Sequence, residues 1–245
     1  MFTINHRWFA TLYVVAALLS LFSVEPSFAR GTTELYRQAR PSADGIGKIH
    51  MGREIARVMG WQGAAWLERE EREQEERGSL LLSELQLKPG MNVADIGAGT
   101  GYYSRRISPL VGPTGTVYAV DVQPEMVKML DAVSRRPGLG NIKPVLGAND
   151  NVRLPDDSVD IAIMVDVYHE LEFPHEVLTS IVRALKPGGR LTFVEYRAED
   201  PRVPIKPLHK MSEAQVRLEA AQHSLVWERT ANNLPWQHVV IFRKK

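Results

Sequence analysis

The sequence predicts an α/β fold: a doubly wound, mostly parallel sheet of seven strands that closes in a C-terminal antiparallel hairpin. Three observations predict it. Short apolar runs alternate with helix-period segments from residue 91 onward, a glycine-rich bend follows the first of those runs, and two strand-like runs end the chain. Parallel strands joined by crossover helices leave that alternation in a sequence. The length of 245 residues, 44% of them hydrophobic, suits one enzyme-sized domain with a substantial core.

Composition removes several function classes. Thirty Lys and Arg balance 29 Asp and Glu, so no global field favours nucleic acid or an anionic membrane, and no nucleic-acid partner is expected. The absence of Cys excludes disulfides, thiolate nucleophiles, Cys-ligated zinc and iron–sulfur clusters.

Taken in order, residues 1–29 read as an address. Arg7 precedes 17 uncharged residues (8–24), and Ser27-Phe28-Ala29 places small residues at the minus-three and minus-one positions. This predicts a secretory signal cleaved after Ala29, and hence a periplasmic or secreted protein with no stable membrane span. The competing reading is an uncleaved anchor. Arg30, Arg37 and Arg40 beyond the apolar run outnumber Arg7 before it, so an anchored chain would keep its domain in the cytoplasm.

Residues 30–69 form an N-terminal extension. Ile46, Ile49, Ile55, Val58 and Met59 recur at partly helical spacing, and with Trp61 and Trp66 they suggest lid helices over a site. The mixed charges of residues 68–77 suit an exposed helix face, which Leu80, Leu81, Leu82, Leu85 and Leu87 carry into an apolar contact before Lys88-Pro89-Gly90 stops it. Residues 70–245 make up the main domain. Its strands are predicted at 91–96, 115–120, 142–146, 159–165 and 190–194. A helix over 174–185 buries Val177, Leu178, Ile181, Val182 and Leu185 on one face. Leu185-Lys186-Pro187-Gly188 repeats the turn chemistry of Leu87-Lys88-Pro89-Gly90. Three prolines in residues 201–207 predict an extended arm, Ser212 with Gln215 a capping box opening a helix to about residue 222, and 224–230 with 236–242 the closing hairpin.

The chemistry-bearing motif follows the first strand: Asp95-Ile96-Gly97-Ala98-Gly99-Thr100-Gly101. Glycines at two-residue spacing strip Cβ atoms from a tight strand-to-helix turn, so a ligand can lie against bare backbone. A dinucleotide fingerprint would place its third glycine five residues after Gly97, where Tyr102 stands. Asp95, two residues before the bend, disfavours pyrophosphate and favours a ligand with a positive end. A nicotinamide oxidoreductase is therefore the weaker reading.

This segment resembles motif I of the class I S-adenosylmethionine-dependent methyltransferases, and residues 70–245 follow that family's order on a Rossmann-like sheet. The resemblance implies S-adenosyl-L-methionine as cofactor and a small-molecule methyl acceptor. It places the donor against Asp95, Gly97, Ala98, Gly99, Thr100 and Gly101, with Asp95 orienting the methionyl ammonium. Asp121 and Val122 end the second strand, where the family's acid takes the ribose hydroxyls, and Asn149 or Asp150 stands near the adenine contact. Asp166-Val167-Tyr168-His169-Glu170 ends the fourth strand on the ligand-binding edge of an open sheet. There His169 is the candidate base, because an imidazole exchanges protons near neutrality. Tyr168 would shape the methyl site, and Glu170 would orient His169 or hold the donor. The alternative for His169 and Glu170 is to cap the next helix and touch only the cofactor. Glu195, Tyr196, Arg197, His209 and Lys210 are candidates for an acceptor pocket. Asp166 and Glu195 offer two oxygen ligands without a third, so no metal is expected. A non-catalytic module that binds S-adenosylmethionine or S-adenosylhomocysteine in the cell envelope is the alternative function. The acceptor atom and the oligomeric state stay open.

Overall fold

The computed structural model describes Met1 and residues 34–245, of which 34–245 form one compact unit. The signal or anchor assigned to residues 1–29 lies outside the described residues. Among those described, no helix is long and apolar enough to cross a membrane.

A small antiparallel sheet comes first, in the order β1 (Arg37–Gln38), β2 (Gly45–His50), β3 (Arg53–Ala56). This overturns the helical reading of residues 46–56. Met51 (φ 46) and Gly52 (φ 98) both take positive φ, the two-residue turn that suits the twist of a hairpin. Gly45, Gly47 and Gly52 already oppose a helix by roughly 1 kcal/mol each. Only Trp61 and Trp66 lie on helical turns, a 3-10 turn (Trp61–Gly63) and α1 (Ala64–Leu67). Then come α2 (Arg72–Glu76) and α3 (Gly78–Glu84).

The main sheet holds β4 (Asn92–Ile96), β5 (Thr116–Asp121), β6 (Ile142–Leu146), β7 (Val159–Val165), β8 (Leu185–Tyr196), β9 (Leu225–Ala231) and β10 (Gln237–Lys244) in the order β6-β5-β4-β7-β8-β10-β9. The first five are parallel, and β10 joins β8 and β9 antiparallel. The seven-stranded, mostly parallel sheet and its closing hairpin are therefore as the sequence predicts. Strand β8 starts earlier than predicted, because Leu185 already pairs with Val159 across a register shift.

Alternation along the strands splits the core in two. Ile161, Ile163 and Val165 point to one face with Leu81, Ile107 and Leu130, whereas Ala162 and Met164 point to the other with Leu178, Phe193 and Val216. The first face carries α3, α4 (Tyr102–Val111) and α5 (Pro124–Ser134); the second carries α6 (Pro174–Ala184) and α7 (Glu213–Ala220). Proline opens α5 and α6, where its missing N–H costs nothing. Ser212 caps α7 by accepting the Gln215 N–H at 3.1 Å. The chain leaves β4 toward β5 on one side and later returns to place β7 on the other, so the ends of β4 and β7 part at a switch point where a ligand can enter.

Candidate active site

A cavity of about 850 Å³ opens at that switch point. The bend after β4 forms its floor. Gly97 (φ 69) and Gly99 (φ 55) sit in the left-handed region, and Gly97 and Ala98 donate to the Val120 carbonyl at 2.8 and 3.0 Å. A Cβ on Gly97 would lie 2.5 Å from Val167 Cγ2, and one on Gly99 would lie 2.6 Å from Leu67 Cδ1. The bare backbone thus admits both protein neighbours and the cavity. Gly97, Ala98 and Gly99 line the cavity, but Thr100 and Gly101 do not, contrary to their assignment as cofactor contacts. Thr100 turns outward to Glu68, and Gly101 (φ 82) caps α4 with its Cα against Leu130.

Asp121 and Asp95 both face the cavity from buried positions. Asp121 Oδ2 accepts the Gly99 N–H and Oδ1 the Gln123 N–H, each at 2.9 Å, so this carboxylate also holds the bend closed. Asp95 accepts the Ser104 hydroxyl at 2.6 Å. Burial raises the Asp121 carboxyl above its ordinary range and pushes Asp95 up to about 6. Val122 lines the rim. After β6, Asn149 lines the cavity and donates to Glu172 at 3.1 Å, whereas Asp150 is exposed and does not line it.

At the end of β7, Asp166 (φ 55) lines the cavity and accepts from Gln237 at 2.8 Å, while its Oδ1 is buried without a protein partner. Burial, with the Glu76 and Glu195 charges, raises its carboxyl well above the usual range. The 3-10 turn Tyr168–Glu170 then separates its three side chains. Tyr168 is fully buried in the core and donates to Glu219 at 2.7 Å, so it does not shape the methyl site. His169 lines the cavity, and its Nδ1 meets Glu195 Oε2 at 2.7 Å. Glu195, not Glu170, orients the ring, and it is buried rather than part of an acceptor wall; its other oxygen takes the Tyr168 N–H at 2.8 Å. Burial opposes the charged ring, yet the Glu195 carboxylate outweighs it and holds His169 above the ordinary imidazole range. Glu170 lines the cavity, accepts the Met59 N–H at 3.0 Å and is raised by burial to about 7.

The remaining wall includes His209 and Tyr196 of the acceptor-pocket candidates and Ile46 of the expected lid, with Lys48, Pro204 and Ile205 added by the structure. His209, on the 3-10 turn Pro207–His209, places Nδ1 3.2 Å from His169 Nε2. Lys210 and Arg197 instead bind backbone carbonyls, Arg197 at Leu234 and Gln237 and Lys210 at Val203. Gln123 ties β5 to the covering segment through Met59 O at 3.0 Å and Trp61 N at 2.7 Å. The charged run is solvated only in part: Glu68, Glu70, Glu71, Glu73, Gln74 and Arg77 are exposed, as the sequence predicts, but two members turn inward. Arg72 and Glu76 are buried, paired at 2.8 Å, and Glu76 also accepts from Arg69 and Tyr196, so all four line the cavity as one network. Among the described residues, one group could hold a metal ion: His169, Glu170 and His209, not the Asp166 and Glu195 pair.

Comparison with known proteins agrees with this geometry. Residues 94–193 match the family model described as a methyltransferase domain. The crystal structure of a SAM-dependent methyltransferase from Aquifex aeolicus superimposes with a TM-score of 0.72 at 28% identity, covering 77% of this chain and 100% of that one. Fold, bend and match are those of class I S-adenosylmethionine-dependent methyltransferases, with the family match itself confined to residues 94–193. Within that class it is similar to the ubiquinone/menaquinone biosynthesis C-methyltransferases UbiE of Ectopseudomonas mendocina (32% over 111 residues) and Pseudomonas putida (34% over 111 residues). The match takes in 45% of this chain, and it spans 43% of the length of those curated relatives.

Proposed function

We propose that this protein transfers the methyl group of S-adenosyl-L-methionine to a small-molecule acceptor. One observation carries the reading: a single cavity is lined both by the glycine bend with Asp95 and Asp121 and by His169, Glu170 and His209. The residues fit the donor. The bend leaves backbone open to the cavity, Asp166 Oδ1 waits there unpaired, and the acidic floor suits a cation. Asp121 keeps lone pairs for the ribose hydroxyls, Asp95 faces the ammonium and Asn149 the adenine. Bound there, the donor supplies a methyl carbon already activated by its sulfonium.

The protein's own work is positioning, bringing a nucleophile to about 3 Å in line with the sulfur. Met59, its backbone held by Glu170 and Gln123 at the cavity wall, would cover a bound donor and exclude water. His169, Glu170 and His209 cluster in the same cavity, with the two imidazoles in contact at 3.2 Å, and would take up a proton from the acceptor or hold a cation beside it. Ile46 and Ile205 supply apolar contact for the acceptor, and the buried Lys48, bound to the Glu172 carbonyl at 3.1 Å, adds positive charge to the lining. Lys48, Ile46, Ile205 and His209 all lie outside residues 94–193, so the acceptor is chosen by parts of the chain that the family match does not reach.

Calorimetry tests the reading: S-adenosylhomocysteine should bind the purified protein, and Asp121→Ala should weaken it by about 10–100-fold, the worth of hydrogen bonds to a charged group. Binding without any S-adenosylhomocysteine produced from S-adenosylmethionine and extract fractions would instead support the non-catalytic module. For location, the reading of residues 1–29 is a cleaved export signal. N-terminal sequencing of the mature protein should begin at Arg30, and a retained Met1 in the membrane fraction would point to the anchor.

A further inference from the structure

Donor binding leaves the far wall of the cavity unexplained. His169, Glu170 and His209 each present one atom, and the three atoms lie within 4.8 Å of one another. Two imidazole nitrogens, His169 Nε2 and His209 Nδ1, face each other at 3.2 Å. Two ligands about 2.1 Å from one tetrahedral ion lie at a similar separation.

Two further contacts prepare these atoms. Glu195, wholly buried, takes the His169 Nδ1 proton at 2.7 Å and so turns the Nε2 lone pair toward the cavity. A carboxylate behind the ring is how metal-binding histidines are fixed in tautomer and orientation. Glu170 Oε2 accepts the Met59 N–H, which fixes its carboxylate and leaves Oε1 without a hydrogen-bond partner among the described residues. The cations near the cluster are committed elsewhere: Arg53 to Glu219, Lys206 to Asp44, Lys48 to the Glu172 carbonyl, and Arg69 and Arg72 to Glu76.

We propose that His169 Nε2, His209 Nδ1 and a Glu170 oxygen form a site for one divalent first-row transition ion, with an open position facing the acceptor. Two imidazoles and one carboxylate, with no thiolate in the chain, suit zinc or a neighbouring ion rather than magnesium or calcium. The role of the ion rests on the methyltransferase reading; the site itself does not. An acceptor hydroxyl held at the open position loses its proton to solvent as the ion lowers its pKa, and the anion stays fixed beside the donor. The acceptor class is then a small molecule bearing an ionisable hydroxyl next to the atom methylated.

The test uses the full chain, purified without a histidine tag and stripped with chelator. Titration with zinc sulfate in a calorimeter should show one saturable equivalent. His209→Ala and Glu170→Gln, on different elements, should each weaken it by at least about tenfold, while His223→Ala, outside the cluster, should leave it unchanged. Cobalt(II) should give visible absorption bands of four- or five-coordinate geometry that His209→Ala abolishes. No saturable uptake, or uptake indifferent to both variants, would overturn the site. S-adenosylhomocysteine titrations run in parallel separate the two ideas. Donor binding without zinc uptake removes only the metal site, and zinc uptake without donor binding removes only the methyltransferase reading.

Discussion

Asp95 shows how one buried side chain can pull folding and binding in opposite directions. Burial raises its carboxyl from an ordinary 3.8 to about 6. Between those values the folded protein keeps a proton that the unfolded chain has lost, so this group's contribution to stability falls as pH rises through the window. Under the proposed function a bound donor reverses the sign, because an ammonium placed against Asp95 would favour the ionised carboxylate. Affinity for S-adenosylmethionine should therefore rise between about pH 5 and pH 7 and then level off. Calorimetry across that range checks it, and Asp95→Asn should flatten the rise. A second residue-scale prediction concerns Gly97. Alanine there carries a Cβ into Val167 Cγ2 at a φ of 69, so Gly97→Ala should cost about 1–3 kcal/mol in denaturant unfolding and weaken donor binding with it. Both residues were legible in the sequence because a bend flanked by acids has few other uses. Tyr168 and Thr100 were not. A sequence places a side chain on a turn but does not say to which side a 3-10 turn or helix start will swing it, and the core took one while Glu68 took the other.

Among elements, the strands were legible and the cover was not. Parallel strands announce themselves through short, near-continuous apolar runs buried on both faces, as residues 159–165 do. The small sheet lacks that signal: its isoleucines are spaced as in a broken helix, and only its glycines argue against one. The run from 68 to 77 misled for a different reason. An Arg72–Glu76 pair at four-residue spacing looks the same whether it faces water or, as here, lies beneath the rings of Tyr102 and Tyr103, with the guanidinium 4.1 and 5.1 Å from their centres. Strand β3 is tied to the main domain chiefly through Arg53, which binds Glu219 at 2.6 Å and the His169 carbonyl at 3.1 Å. Burial works against the Glu219 charge, but Arg53 outweighs it and holds the carboxyl below its usual range. Removing one partner of such a pair strands the other, so Arg53→Met should destabilise the protein by about 3–5 kcal/mol in urea. Because the same guanidinium braces the turn that carries His169, the variant should also lose acceptor turnover more than donor affinity.

For the whole molecule, the site belongs to no single element. The sheet edge gives the donor floor, the small sheet and the 59–67 segment give the cover, and the arm of residues 201–209 gives the far wall, all within one compact unit. A ligand filling that cavity should thus stabilise residues 34–245 as a single cooperative body. At 100 times its dissociation constant it adds about 2.7 kcal/mol, which for a chain of this size raises Tm by roughly 5–10 °C. Scanning calorimetry should show one transition that moves as a whole with S-adenosylhomocysteine. Two transitions, only one of them ligand-dependent, would mean that the small sheet folds apart from the domain and that its contribution to the acceptor wall is incidental. Arg53→Met discriminates further. If the cover is coupled through that guanidinium, the variant should unfold in two steps where the wild-type chain unfolds in one, and hydrogen exchange should locate the earlier step in residues 45–67.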